Sequence, residues 1–170
     1  MAVHYFSFGK YEGKGVSQTS LAVGNVTGKG GWGYPYVHWA AHNLTRLEQG
    51  LKDDLKRHIH VLNHFTSALP CQHCKNSDVK YFSVYRNSKG NHITGAYVFC
   101  SKECSQTTGA SDYLLEPLGF DVLLKIDVFN KIDQKNAHET MRRVIGWPES
   151  KKVTDDAAAD FIDALEKRLR

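Results

Sequence analysis

Cys71 and Cys74, in Ser67-Ala-Leu-Pro-Cys-Gln-His-Cys74, form a Cys-x-x-Cys pair, and Cys100 and Cys104 form a second pair. Thiols so spaced either close and reopen a disulfide or bind a metal as thiolates. All four cysteines of the 170-residue chain lie between positions 71 and 104. Redox work needs one sulfur open to attack and its neighbour placed to pass electrons onward, with His73 between them able to adjust the potential. A helix beginning near Cys71 would lower that thiol's pKa through its unsatisfied N–H groups. Metal work needs only that the two pairs meet, because four thiolates on two short knuckles satisfy a tetrahedral structural zinc. The spacing alone leaves both chemistries open.

The elements that must position these sulfurs read mostly as helices. Eight of the fourteen glycines precede residue 34, which predicts an irregular arm over 1–31 ahead of a single domain over 32–170. From Tyr36, apolar residues recur at helical spacing through Val37, Ala40, Ala41, Leu44 and Leu47 until Gly50. A second helix is predicted from about Asp53, with Leu55, Ile59, Leu62, Phe65 and Ala68 on one stripe and Pro70 as its breaker. Residues 71–85 suit a helix or a strand, Asn87 to Asn91 a turn, and Ile93 to Phe99 a strand, so 87–112 reads as an insertion. Leu114 to about Lys135 is apolar-rich, Ala137 to Ile145 is periodic and closed by Gly146-Trp-Pro148, and Asp155 to Leu169 is an amphipathic terminal helix. The expectation is an all-α fold, a bundle of four to five helices with the glycine-rich arm and the insertion appended.

Composition sets the outer limits. The chain is 41% apolar and 24% charged, has no apolar run of about 18 residues, and so has no membrane role in this reading. Met1 to Gly9 lacks the basic start and apolar stretch of a secretory signal, which fits a cytosolic protein or one delivered by another route. The net charge of +4 is spread among acidic residues rather than gathered into a stripe, which argues against nucleic acid as a partner.

Two resemblances divide the cysteine chemistry. Phe99-Cys-Ser-Lys-Glu-Cys104 resembles the second knuckle of treble-clef and zinc-ribbon fingers, which implies a zinc site of Cys71, Cys74, Cys100 and Cys104 in a non-catalytic module for protein or nucleic-acid contacts. The sequence around the first pair resembles the Erv/ALR flavin-linked sulfhydryl oxidases, particularly the small viral members. Trp32-Gly-Tyr-Pro-Tyr36 is similar to that family's opening motif, and a helix carrying His42 follows. Lys56 to Cys74 is similar to the helix that runs into Leu-Pro-Cys-x-x-Cys, and Phe129-Asn-Lys-Ile-Asp133 to a degraded His-Asn-x-Val-Asn signature. Asn130 matches that signature; Phe129 and Asp133 depart from it.

The second resemblance implies a thiol oxidase with FAD held by Trp32, Tyr36, Trp39, His42, Phe129, Asn130 and Asp133. Cys71 and Cys74 would be its catalytic disulfide, with Cys71 outermost, and Cys100 and Cys104 a shuttle or structural disulfide. It further implies thiol-containing substrate proteins, molecular oxygen reduced to hydrogen peroxide, a homodimer, and action in a virion or infected-cell cytoplasm. Plainer readings stand beside these roles. His42 reads equally as a buried, hydrogen-bonded histidine, His58, His60 and His64 as solvated, Trp147 as a helix-end anchor, and Asp155 with Asp156 as a capping pair.

Overall fold

The structure, a computed structural model, describes residues 4–7, 9–22, 33–86, 93–107, 112–126 and 131–169. In chain order the elements are a one-turn 3-10 helix (Gly9–Tyr11), α1 (Val16–Leu21), α2 (Gly33–Asn43), α3 (Gln49–Asn63), β1 (Tyr81–Arg86), β2 (Ile93–Phe99), α4 (Lys102–Gln106), β3 (Asp112–Pro117), α5 (Val122–Lys125), α6 (Lys131–Val144) and α7 (Asp155–Leu169). The chain divides into two compact units, Met1–Phe65 with Ser150–Arg170, and Thr66–Glu149.

The first unit is helical. Phe6, Tyr11 and Val16, from the glycine-rich stretch, are buried in one cluster with Val37, Ala40, Leu51 and Leu55. The described part of that stretch therefore contributes side chains to the core. α1 packs against α2, α3 and α7, and a Cβ on Gly33 would fall 1.6 Å from the Thr19 carbonyl oxygen. Glycine there marks a close approach of two backbones.

Gly50 does not end a helix as its composition suggests. It lies inside α3, where a Cβ would meet His4 Cε1 at 2.7 Å, and the break falls earlier, after Asn43. His58, read as solvated, is fully buried, its Nε2 2.7 Å from Ser17 Oγ and its Nδ1 2.7 Å from the Asp54 carbonyl. A buried imidazole needs both nitrogens partnered, and α3 supplies one partner from its own backbone. Arg57 joins α3 to α7 through Asp163 and, at 3.0 Å, Glu166. At the start of α7 the cap is Thr154, whose Oγ1 accepts from Ala157 N at 3.4 Å; Asp155 instead accepts from Gly15 N at 2.9 Å, beside α1.

The second unit overturns the all-α expectation. It contains a three-stranded antiparallel sheet in the order β2-β1-β3, so the chain is mixed α/β. Tyr81-Phe-Ser-Val-Tyr-Arg86 is rich in aromatic and β-branched residues that suit a pleated surface. Its central position was hidden because Ser83 pairs with Tyr97 on one side and with Leu115 on the other. No local periodicity reveals a partner 32 residues away. The expected turn from Asn87 to Asn91 lies outside the described residues.

α6 packs on β2 and α5, while α4 touches β2 and β3. α6 stops as Gly146-Trp-Pro148 predicts: Gly146 takes φ +85, its N–H donates to Arg143 O at 3.0 Å, and Trp147 N donates to Arg142 O at 2.9 Å. These two bonds form a Schellman cap, and Trp147 is buried beyond it as the expected anchor.

Candidate metal centre

Cys71 does not open a helix. The stretch from Cys71 to Cys74 is a tight turn closed by Lys75 N donating to Cys71 O at 3.0 Å and Cys71 N donating to Asn76 O at 2.8 Å. Closure places Lys75 at φ +63, a left-handed conformation that costs a side-chain-bearing residue about 1–2 kcal/mol. Two further bonds fasten this turn to the sheet. Gln72 N donates to Val98 O and Lys80 N to Phe99 O, both at 2.9 Å. The first cysteine pair is thereby held at the C-terminal end of β2.

The second pair begins where that strand ends. Cys100 follows Phe99 directly, and Ser101 caps α4 by accepting from Cys104 N at 3.2 Å. A serine cap three residues before Cys104 fixes the turn that carries its sulfur. Strand end, cap and short helix thus present Cys100 and Cys104 to the turn formed by the first pair.

The four sulfurs lie within 4.8 Å of one another. Cys74 Sγ is 3.4 Å from Cys100 Sγ, and Cys100 Sγ is 3.5 Å from Cys104 Sγ. Four sulfurs at about 2.3 Å from a zinc ion stand about 3.8 Å apart along each tetrahedral edge, whereas a disulfide joins them at about 2.05 Å. The spacing is that of ligands around an ion, and all four cysteines are free thiols. The expected Cys71–Cys74 and Cys100–Cys104 disulfides are not formed. Cys71, Cys74, Cys100 and Cys104 could together hold a metal ion such as zinc.

The electrostatics favour a cation. Burial alone would raise the Cys71 thiol, but the backbone N–H groups of Cys74, Cys100 and His73, with the Cys74 thiol, bring it down to about 6. Hydrogen bonds to Cys74 and Cys104 push Cys100 up to about 12. Cys104 is raised too: its bond from Cys100 lowers it, but burial and the neighbouring thiols of Cys74 and Cys71 outweigh that. One thiolate discourages others beside it, and a bound dication removes that penalty for the whole set.

The residues expected to hold a flavin are placed differently. Tyr36, Trp39 and His42 all lie on α2 in the first unit, whereas the cysteines belong to the second. Tyr36 is half-buried, with ring centroids 4.8 Å from Tyr11 and 5.3 Å from Phe6. Trp39 is 47% exposed. His42 is exposed rather than buried, stacked on His38 at 4.2 Å with its Nδ1 2.8 Å from the His38 carbonyl.

Trp32, Phe129 and Asn130 lie outside the described residues; Asp133 falls on α6, its side chain also outside them. Cys71, the sulfur expected to meet substrate, is buried, and Cys74 is exposed. Sequence reading missed three supports of the cluster: the Ser101 cap, the left-handed Lys75 and the His73 N–H. Of these, only the serine three residues before Cys104 left a signal in the sequence. No protein-family model, curated protein or solved structure matches the chain.

Proposed function

We propose that this chain is a zinc-stabilised interaction module in which Cys71, Cys74, Cys100 and Cys104 hold one structural zinc ion. The observation that carries the reading is the convergence of four sulfurs from two separate segments to within 4.8 Å. Four protein thiolates fill a tetrahedral zinc and leave no position for water or substrate, so the metal acts as a crosslink. It ties the turn at Cys71–Cys74 to the end of β2 and to α4, in the knuckle, hairpin and short-helix order of the treble-clef fingers that the second cysteine pair resembles. The turn it fixes exposes every residue from Gln72 to Asp78, a surface for a partner. The dispersed charge favours a protein partner over nucleic acid.

A thiol oxidase of Erv/ALR type would use the same sulfurs, and its specific support is the Cys71 thiol brought down to about 6. Metal and flavin content decide between the two. Purified full-length chain is expected to be colourless and to carry about one zinc per chain, released by a chelator. Yellow, zinc-free protein that consumes oxygen on adding dithiothreitol would overturn the zinc reading in favour of the oxidase.

A further inference from the structure

The four sulfurs are unequally guarded. Cys71 is fully buried, and its sulfur accepts from the N–H groups of Cys74, Cys100 and His73. Cys100 and Cys104 are half-buried, and Cys74 is exposed on a turn whose residues from Gln72 to Asp78 all face solvent. An oxidant in solution therefore meets Cys74 first. Cys100 Sγ stands 3.4 Å from it, so the two sulfurs need to close by about 1.4 Å to reach bonding distance. The exposed turn can supply that movement. Cys71 is the poorer partner because its lone pairs are engaged by three backbone donors, and Cys104 is held by the capped helix.

We propose that Cys74 is an oxidation site with Cys100 as its resolving partner, so that a peroxide converts the zinc centre into a Cys74–Cys100 disulfide and releases the metal. The inference rests on the zinc reading. The Cys74 thiolate attacks one oxygen of hydrogen peroxide, breaking the O–O bond to give Cys74 sulfenic acid and hydroxide. The Cys100 thiolate then attacks that sulfur, forms the S–S bond and expels a second hydroxide. Two thiolates lose two electrons in all, the peroxide gains them, and two protons from the buffer convert the two hydroxides into two water molecules. Zinc keeps only Cys71 and Cys104 and dissociates.

The disulfide spans 26 positions and encloses the β1–β2 hairpin. It takes over the crosslink that the metal provided, so oxidation releases zinc while the sheet stays folded. Removal of zinc by a chelator has no such replacement.

The test treats zinc-loaded full chain with hydrogen peroxide while a chromogenic chelator reports free zinc, then maps disulfides without reduction. Expected are release of about one zinc per chain, a Cys74–Cys100 crosslink, alkylation of Cys71 and Cys104 alone, and zinc uptake again after dithiothreitol. Cys74→Ser is expected to slow peroxide-driven loss of the Cys100 thiol by about tenfold or more, read by alkylation so that the variant's weaker zinc binding does not enter, while Cys104→Ser still forms the Cys74–Cys100 crosslink. Zinc retained through the treatment, or release with a Cys71–Cys74 or Cys100–Cys104 crosslink, would overturn this inference and leave the structural zinc standing. A chain that takes up no zinc at all removes the metal reading itself. Disulfide mapping of the wild-type chain holds even if a variant fails to fold.

Discussion

Cys71 differs from Cys100 and Cys104 in that its surroundings lower its thiol rather than raise it. Its folded value of about 6 lies below the ordinary 9.0 of a free thiol. Between those values the unfolded chain binds the proton that the folded chain has lost, so stability rises with pH across that window. Cys100 works in the opposite sense: held near 12, it keeps its proton when the unfolded chain loses one, and stability falls above pH 9. Metal-free chain should therefore be most resistant to thermal unfolding near pH 9, and a melting series at stepped pH tests this. A flat profile from pH 6 to 9 would show that the hydrogen bonds at Cys71 are not formed.

Lys75 gives a second prediction at this scale. Its left-handed φ of +63 closes the turn against a steric cost that glycine does not bear. Lys75→Gly should raise the melting temperature of the zinc-loaded chain, by an amount equivalent to about 1 kcal/mol, despite losing the 3.0 Å bond from its Nζ to Gln72 O. Replacing any one cysteine by serine should weaken zinc binding by more than the roughly 10- to 100-fold typical of losing an outer-shell partner, as competition with a chelator would measure.

Among the elements, the α1–α2 crossing is the most sharply constrained. A Cβ at Gly33 would overlap the Thr19 carbonyl at 1.6 Å, and backbone on both sides leaves no flexible atom to yield. Gly33→Ala should cost about 3 kcal/mol or more, seen as a lower denaturant midpoint, while Gly13→Ala, with open space around the Cβ, should act only through its φ of +75. Equal effects of the two substitutions would mean that α1 and α2 do not cross so closely. Composition alone does not separate the early glycines by role: Gly33, two residues beyond the expected irregular arm, serves a close backbone contact.

For the molecule, the zinc proposal implies two units with different dependence on metal. The first has its own core around Phe6, Tyr11, Val37 and Leu55 and includes none of the four cysteines. The second places its sheet, α4 and the sulfurs together in Thr66–Glu149. Stripping zinc should therefore deprotect amides in β1, β2 and α4 while those of α3 and α7 exchange as before. Hydrogen exchange with mass readout distinguishes this from unfolding of the whole chain. Protection lost equally in both units would contradict the division.

What was legible in the sequence was whatever depends on near neighbours. The helical stripe of α3 as far as Leu62, that of α7, the stop at Gly146-Trp-Pro148, the strand at Ile93 to Phe99 and the two cysteine pairs all follow from local spacing and turn chemistry. Phe65 and Ala68, expected on the same stripe as Leu62, lie beyond the end of α3 at Asn63. The central strand was ambiguous and β3 went unread, because strand pairing is a long-range contact that leaves no local period. The burial of His58 was hidden for the same reason, since Ser17 stands 41 positions away. By itself the sequence determined only that Cys71, Cys74, Cys100 and Cys104 fall in two closely spaced pairs, open to either disulfide or metal chemistry. Only the tertiary structure made them one cluster, through two backbone hydrogen bonds that carry the first pair to the end of β2. Four converging sulfurs repel one another as thiolates, and that repulsion is what a divalent cation relieves.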